Sequence, residues 1–335
     1  MSRQAPARPT APTQDGARDV LALPLARLRL RFVRRRAGRL PPYTGSLWRG
    51  AFGRALRRLC CVTSLDRCDP CALRHACPYA CAFETPPPPG ATRMRRYDAV
   101  PHPFVIEPPE DAHAWPPGPR PAPAALTLGL TVIGGAHRWL GTLVAAMAEA
   151  AGAGLGRDRV RYDLVAVWQE RIPGTGAWQP VGAPGALDPL PPAPPAPLEP
   201  PRRLQLRLLT PLRLVRDEAL VGAARFRFGD LHRNLQRRIA SLHHFHGAGP
   251  LAADFRGLAQ AADAVPLAAR RLRWLDWRRW SSRQRAMMAM GGLVGELELD
   301  GAHLGPFWPW LQLGALVHAG KATSMGLGRY ELEAA

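Results

Sequence analysis

The sequence predicts an α+β fold made of two tandem βαββαβ units, the ferredoxin-like (RRM-like) plan, with a cysteine-rich insert in the first unit. Three observations predict this fold. The chain has 335 residues, of which 47% are hydrophobic, and this suits two modest domains with a core each. The second half of the chain repeats the order of predicted elements in the first half. All six cysteines lie within residues 60–81, between the first predicted helix and the second predicted strand.

The first predicted domain follows a tail, residues 1–17, whose Pro, Ala and Arg content predicts disorder. Apolar residues alternate with arginine over residues 25–33, which predicts a strand with an arginine face. Residues 45–59 have the apolar spacing of a helix and carry arginines on the other side. The remaining predicted elements of this domain, residues 18–181, are strands at 102–106, 126–133 and 160–168, a helix at 139–150, and the insert at 60–85.

A proline-rich segment, residues 182–201, predicts the boundary between the domains. It contains nine prolines and almost no charge, which is the composition of a semi-rigid extended linker. The second domain, residues 202–335, opens with an alternating stretch at 203–209 that resembles the first strand. Its other predicted elements are helices at 229–246, 251–262 and 304–318, and strands at 267–277, 293–299 and 329–332.

The charge predicts a polyanionic partner. The formal net charge is +19 and the isoelectric point is about 11.2. Residues 20–65 contain eleven arginines and no acidic residue, and residues 270–285 contain seven arginines and one aspartate. Such clustering favours nucleic-acid binding, and a solubilising surface is the alternative interpretation.

The apolar pattern predicts no membrane partner. No run of 18 apolar residues exists, and the N-terminus lacks the features of a secretory signal. We therefore expect a cytoplasmic protein.

The cysteine cluster predicts a structural metal site, because thiols crowded together in a cytoplasmic chain usually bind metal rather than form disulfides. Cys68 and Cys71 have the spacing of a chelating pair, and Cys61 and Cys77 would complete a tetrahedral zinc site. An iron–sulfur cluster and unligated thiols are the alternatives. Four thiolates leave no open position for water, so the predicted zinc is structural rather than catalytic.

A glycine-rich loop with the only lysine of the chain follows the last predicted helix. It is not a nucleotide triphosphate site, since five residues separate Gly314 from Gly320, Ala322 follows Lys321, and the loop comes after a helix. Its glycines either allow an RNA backbone to approach the main chain, beside one cation, or form a tight turn that ends the helix.

The stretch at residues 292–332 resembles the C-terminal signature of the CRISPR-associated endoribonucleases that process repeat transcripts, in the repeat-associated mysterious protein (RAMP) superfamily. Three other segments agree with this resemblance: residues 210–214 (TPLRL), residues 277–284, and the cysteine-rich residues 68–84 ahead of a proline run. The resemblance implies tandem ferredoxin-like domains and binding of CRISPR repeat RNA. It also implies metal-independent cleavage by the internal 2′-hydroxyl, which leaves a cyclic phosphate and a 5′-hydroxyl.

That chemistry needs a base, an acid and a cation at the phosphate. Family members often carry a histidine in or just before the first helix, where this sequence has Tyr43. The candidate histidines are His232, His243, His244, His246 and His318. His246, at the edge of a predicted loop, is the first candidate base, Tyr43 is the alternative base and Lys321 is the most plausible charge stabiliser. The predicted RNA contacts are Arg49, Arg54, Arg237, Arg238, Arg283, Gly320, Lys321, Gly326 and Gly328.

Two other functions are consistent with parts of the sequence. A non-catalytic RAMP subunit would hold RNA within a larger CRISPR effector complex, with other subunits as partners. A zinc-stabilised DNA-binding regulator is the second rival, and the absence of a helix-turn-helix pattern weighs against it.

Overall fold

The computed structural model describes residues 19–91, 100–116, 118–281 and 286–335. These residues form an α+β fold with two main antiparallel sheets, and helices cover one face of each sheet. The predicted tail at residues 1–17 and Arg283 lie outside the described residues. Among the described residues, no helix combines the length and the apolar character needed to cross a bilayer.

The N-terminal half contains a six-stranded sheet in the order β3-β5-β1-β6-β7-β8 and two helices. Its elements are β1 (Leu25–Arg36), β2 (Arg39–Leu40), α1 (Gly45–Cys60), β3 (Phe104–Glu107), β4 (Arg120–Pro121), β5 (Ala125–Ile133), α2 (Leu140–Ala153), β6 (Arg161–Glu170), β7 (Trp178–Ala183) and β8 (Ala186–Leu187). The short strands β2 and β4 pair with each other outside this sheet.

Strand β1 lies in the middle of this sheet because its alternating pattern gives it one fully apolar face. Leu28, Leu30 and Phe32 are at most 1% exposed and pack beneath the helices. Burial of each such side chain contributes about 1.5–3 kcal/mol. The arginines between them point to the opposite face, as the sequence predicts.

The C-terminal half contains a four-stranded sheet in the order β12-β15-β9-β16, three helices and two hairpins. Its elements are β9 (Arg203–Leu212), β10 (Val215–Arg216), β11 (Ala219–Leu220), α3 (Phe228–His246), α4 (Phe255–Asp263), β12 (Ala269–Leu275), β13 (Arg278–Ser281), β14 (Ala286–Ala289), β15 (Gly292–Asp300), α5 (Trp308–Val317) and β16 (Tyr330–Ala334). In both halves the four strands of the unit lie in the order second, third, first, fourth.

The proline-rich segment at residues 182–201 packs against both halves, whereas its composition predicts a semi-rigid extended linker. Strand β7 extends into it, and Ala193 pairs with Leu25 of β1. The Trp308 indole donates to the Leu198 carbonyl at 2.6 Å. Neighbouring elements thus provide hydrogen-bond partners for backbone groups that the composition alone predicts to be exposed to solvent. The predicted domain boundary within this segment stays a prediction.

The described part of the basic stretch, residues 270–281, folds differently from the single strand predicted over residues 267–277. Strand β12 ends at Leu275, and a separate hairpin of β13 and β14 follows it. Trp280 on this hairpin is 58% exposed. The sequence pattern did not predict the break, because apolar and basic residues continue on both sides of it without a glycine or proline between them.

Candidate functional site

The glycine-rich loop, defined as residues 318–328, joins α5 to β16 and lies between the two halves. The Tyr43 hydroxyl of the first half donates to the Met325 carbonyl at 2.5 Å. In the second half, the Thr210 hydroxyl donates to the Gly326 carbonyl at 2.7 Å. Both halves therefore determine where the loop lies.

Close approach of backbone explains the three glycines of the loop. A Cβ atom would lie 2.7 Å from the Arg213 carbonyl oxygen at Gly320 and 2.6 Å from the Ile106 carbonyl oxygen at Gly326. At Gly328 it would overlap the Ala319 carbonyl oxygen. Gly326 and Gly328 are buried and form a tight intramolecular turn, so their contact with RNA stays a prediction that this burial does not favour.

Lys321 is the exposed residue of the loop. Its backbone N–H donates to the Arg213 carbonyl at 3.0 Å, which fixes the main chain from which the side chain projects. Within the described part of the chain, the Lys321 ammonium has no ion pair. This is consistent with the predicted role of Lys321 as a cation beside a bound phosphate.

Arg49 connects the first helix to the loop. It lies one turn into α1, where it is half-buried beside the buried Trp48 and Phe52. Its Nε donates to the Ser324 hydroxyl at 2.9 Å, and its Nη2 lies 3.0 Å from His102 Nε2. An arginine of the N-terminal half thus reaches the loop of the C-terminal half.

His102 is a member of this site that the sequence analysis did not single out. It precedes β3, and its Nδ1 lies 3.4 Å from the Thr85 hydroxyl. Burial, reinforced by the positive charge of Arg49, lowers the pKa of His102 to about 3. The ring is therefore neutral at neutral pH, and Nε2 can accept a hydrogen bond from Arg49. No sequence pattern indicates this pair, because the two residues belong to different elements.

Tyr43 supports the loop rather than offering a base. It is 3% exposed, and its ring packs against Trp115 and Trp277 with centroids 4.9 and 5.2 Å away. Burial raises the pKa of Tyr43 well above its ordinary value. A phenol that is buried, protonated and bonded to the Met325 carbonyl is poorly suited to take a proton from RNA, so Tyr43 as the alternative base stays a prediction that its surroundings do not favour.

His246 is the last residue of α3 and is partly exposed. Its Nε2 lies 2.6 Å from the Pro101 carbonyl, directly before His102. Because a carbonyl only accepts, Nε2 carries the proton and Nδ1 keeps its lone pair. Burial lowers the pKa of His246 below its ordinary value, so the neutral form dominates at neutral pH.

The arginines that are predicted to contact RNA differ in their exposure to solvent. Arg54 and Arg237 are exposed. Arg238 is different, because its guanidinium donates to the carbonyls of Val317 and His318 at 2.7–3.0 Å, and burial lowers its pKa to about 10. Arg238 thus holds the end of α5, and its contact with RNA stays a prediction that these hydrogen bonds do not favour.

The cysteine-rich insert places five of its six cysteines around one small cavity of about 20 Å³. Burial raises the pKa of Cys60, Cys68 and Cys81, whereas the Ser64 backbone N–H lowers the pKa of Cys61. Among the described residues, no group of three or more His, Cys, Asp or Glu side chains is arranged to hold a metal ion. The predicted zinc at Cys61, Cys68, Cys71 and Cys77 therefore stays a prediction. The cavity is lined by Cys60, Cys61, Cys68, Cys71 and Cys77, among other residues.

Replacing Gly45 at the start of α1 with alanine should lower the free energy of unfolding by about 1–3 kcal/mol, because overpacking has a cost of this size. A Cβ there would overlap the Met325 carbonyl oxygen. Gly50→Ala is the matched control on the same helix, since its Cβ would meet only Arg54 Nη1, at 3.6 Å. Chemical denaturation measures both variants. Equal stability of the two would contradict the close approach of loop and helix.

Comparisons with known proteins address both halves. Residues 23–191 match a family model described as an N-terminal domain, and residues 206–330 match the model of the CRISPR-associated endoribonuclease Cas6. No curated protein sequence matches the chain.

Several solved structures share this fold. A Cas6 product complex is 15% identical, with a TM-score of 0.55 over 92% of this chain and 100% of that one. Thermus thermophilus Cas6 is 15% identical, with a TM-score of 0.50 over 93% and 99% of the two chains. A chain of a partial Cas6-RT-Cas1–Cas2 complex is 12% identical, with a TM-score of 0.54 over 93% of this chain and 46% of that longer one. Identities this low indicate similarity of fold.

Proposed function

The chain belongs to the Cas6 family of CRISPR-associated endoribonucleases, and from this membership we propose that it binds CRISPR repeat RNA and cleaves precursor transcripts into guide RNAs. The net charge of +19 supports a polyanionic substrate. The observation that carries the proposal is the hydrogen bond from Arg49 in α1 to Ser324 in the glycine-rich loop. It brings a guanidinium from one half to the loop that bears Lys321 in the other.

The proposed reaction needs no metal. The RNA 2′-hydroxyl oxygen gives its proton to His246 and forms a bond to the adjacent phosphorus while the bond from phosphorus to the 5′-oxygen breaks. Solvent water supplies a proton to the departing 5′-oxygen, which leaves a 2′,3′-cyclic phosphate and a 5′-hydroxyl. We propose that Arg49 and Lys321 stabilise the additional negative charge that the phosphate carries in the transition state. His246 is the proposed general base, supported by its neutral ring and free Nδ1.

Incubation with repeat RNA from its own locus in EDTA tests the proposed function. We expect cleavage at one position, a cyclic phosphate on the upstream product, and no cleavage when the nucleotide 5′ of the cut lacks its 2′-hydroxyl. Cleavage of the deoxy substrate at the same position would contradict attack by the internal hydroxyl.

The same experiment separates the rival functions. Stoichiometric binding without cleavage would favour a non-catalytic RNA-holding subunit with other CRISPR-associated proteins as partners. The similarity to a chain of a Cas6-RT-Cas1–Cas2 complex is the observation that favours looking for such partners.

We assign both halves to the ferredoxin-like plan. The support is the strand order β3-β5-β1-β6 in the first half and β12-β15-β9-β16 in the second, with all neighbours antiparallel. Helices follow the first and third strands of each unit. This is the order that two βαββαβ units produce.

We also propose structural zinc in the insert, supported by the five thiols that line one cavity. Elemental analysis of protein purified under reducing conditions should find about one zinc per chain, because four thiolates saturate a tetrahedral ion. The Cys68→Ser/Cys71→Ser double variant should lose the metal and local stability. Wild-type protein that is free of metal and equally stable would contradict this assignment.

A further inference from the structure

The cysteine-rich insert returns to the core of the N-terminal half through a π-helical turn, Ala80–Glu84. The Phe83 ring in this turn lies under the guanidinium of Arg49, with the Arg49 Cζ atom 4.4 Å from the ring centroid. Gly53 on α1 leaves room for the ring, since a Cβ there would overlap it. The turn is therefore fitted to the helix that carries Arg49.

Neighbouring aromatic rings hold Phe83 in this place. Tyr79 stacks on it at a centroid distance of 5.6 Å, and Phe104 of β3 stacks at 6.1 Å. Phe52 of α1 meets the ring edge to face at 6.2 Å. Tyr79 also lines the cysteine cavity, so the Tyr79 ring lies between the thiol cluster and Phe83.

The insert also contacts His102, which pairs with Arg49. Thr85 follows the π-helical turn, and its hydroxyl donates to the Val100 carbonyl at 2.8 Å and lies 3.4 Å from His102 Nδ1. The end of the insert thus touches the Arg49 guanidinium through Phe83 and the His102 imidazole through Thr85. Both contacts lie next to the bond from Arg49 to Ser324.

We propose that the cysteine-rich insert is a positioning element for Arg49, and that Phe83 is its positioning residue. The inference rests on the proposed function, in which Arg49 acts on the phosphate. An arginine has a long side chain with many rotamers, and a ring beneath the guanidinium restricts both its plane and its reach. The insert would then set the geometry of cleavage as well as stabilise the fold.

A double-mutant cycle of Phe83→Leu with Arg49→Ala tests the inference. Leucine keeps an apolar side chain but removes the π face, so we expect the saturated single-turnover cleavage rate to fall about five-fold, the scale of one cation–π contact. In the Arg49→Ala background the same change should have almost no further effect, because the partner is gone. Val62→Ala, at a 79% exposed position of the insert, is the control and should cleave at the wild-type rate.

Phenylalanine fluorinated on its ring at position 83 provides a second variant that keeps the shape of the ring. Fluorine weakens the negative face, so the rate should fall about two-fold while thermal unfolding stays unchanged. Additive effects of Phe83→Leu and Arg49→Ala, or a wild-type rate in the fluorinated protein, would overturn the inference. If wild-type protein binds RNA without cutting it, the proposed function fails. The cycle is then measured in RNA affinity, where additivity again decides against the inference.

Discussion

Replacing Arg49 with alanine should lower the single-turnover cleavage rate by about 10²–10³-fold, the scale of losing one group that stabilises a developing negative charge. Arg49 already lies between the Ser324 hydroxyl and the His102 imidazole, so its guanidinium is oriented before RNA binds. Such preorganisation is the reason for the large expected effect. The measurement is single-turnover cleavage of repeat RNA at saturating protein.

Arg54→Ala is the matched control for this variant, because Arg54 is an exposed arginine on the same helix. We expect it to weaken RNA binding slightly and in a salt-dependent way, as for one screened phosphate contact, with an unchanged saturated rate. Thermal unfolding of both variants excludes a general loss of folding. An Arg49→Ala protein that cleaves as fast as Arg54→Ala would contradict the assignment of Arg49.

Replacing Lys321 with alanine should lower the saturated cleavage rate by about 10²-fold, while RNA affinity changes little. The expected effect is large because the loop backbone around Lys321 is fixed by the Gly320 N–H, which donates to Asn234 at 2.7 Å, and by the bond from Lys321 N–H to Arg213. Because the main chain at Lys321 is fixed, its ammonium can reach the same phosphate position in each bound RNA.

Lys321→Arg keeps the charge but replaces a compact ammonium with a planar fork, so it should restore part of the rate. If Lys321 only positions RNA, alanine should weaken the affinity and leave the saturated rate near normal. A variant with normal RNA affinity and a normal saturated rate would indicate that the loop is only a turn that ends α5.

Much of the fold was predictable from local patterns. The alternation in β1 and β9 and the helical spacing in α1 and α3 predicted those elements close to their observed bounds. The family resemblance, carried by the segment at residues 292–332, is confirmed by the family model that matches residues 206–330. These features depend on residues near each other in the chain.

The site was predicted less completely. Arg49 and Lys321 were named, and the structure places Arg49 against the loop that carries Lys321. No sequence pattern indicates His102, and the burial of Tyr43 does not favour the proton-transfer role that its position in the sequence suggests. The type of a residue indicates what it can do, whereas its surroundings decide whether it does so.

The sequence by itself determined the charge, the two repeated units and the clustered cysteines, because these follow from composition and from periods of two or 3.6 residues. Only the tertiary structure decided which groups meet. The bond from Tyr43 to Met325 joins residues 282 positions apart, and that from Arg49 to Ser324 joins residues 275 apart. No local period encodes such distances. The pKa values of His102 and Tyr43 depend on desolvation, which exists only in the folded protein.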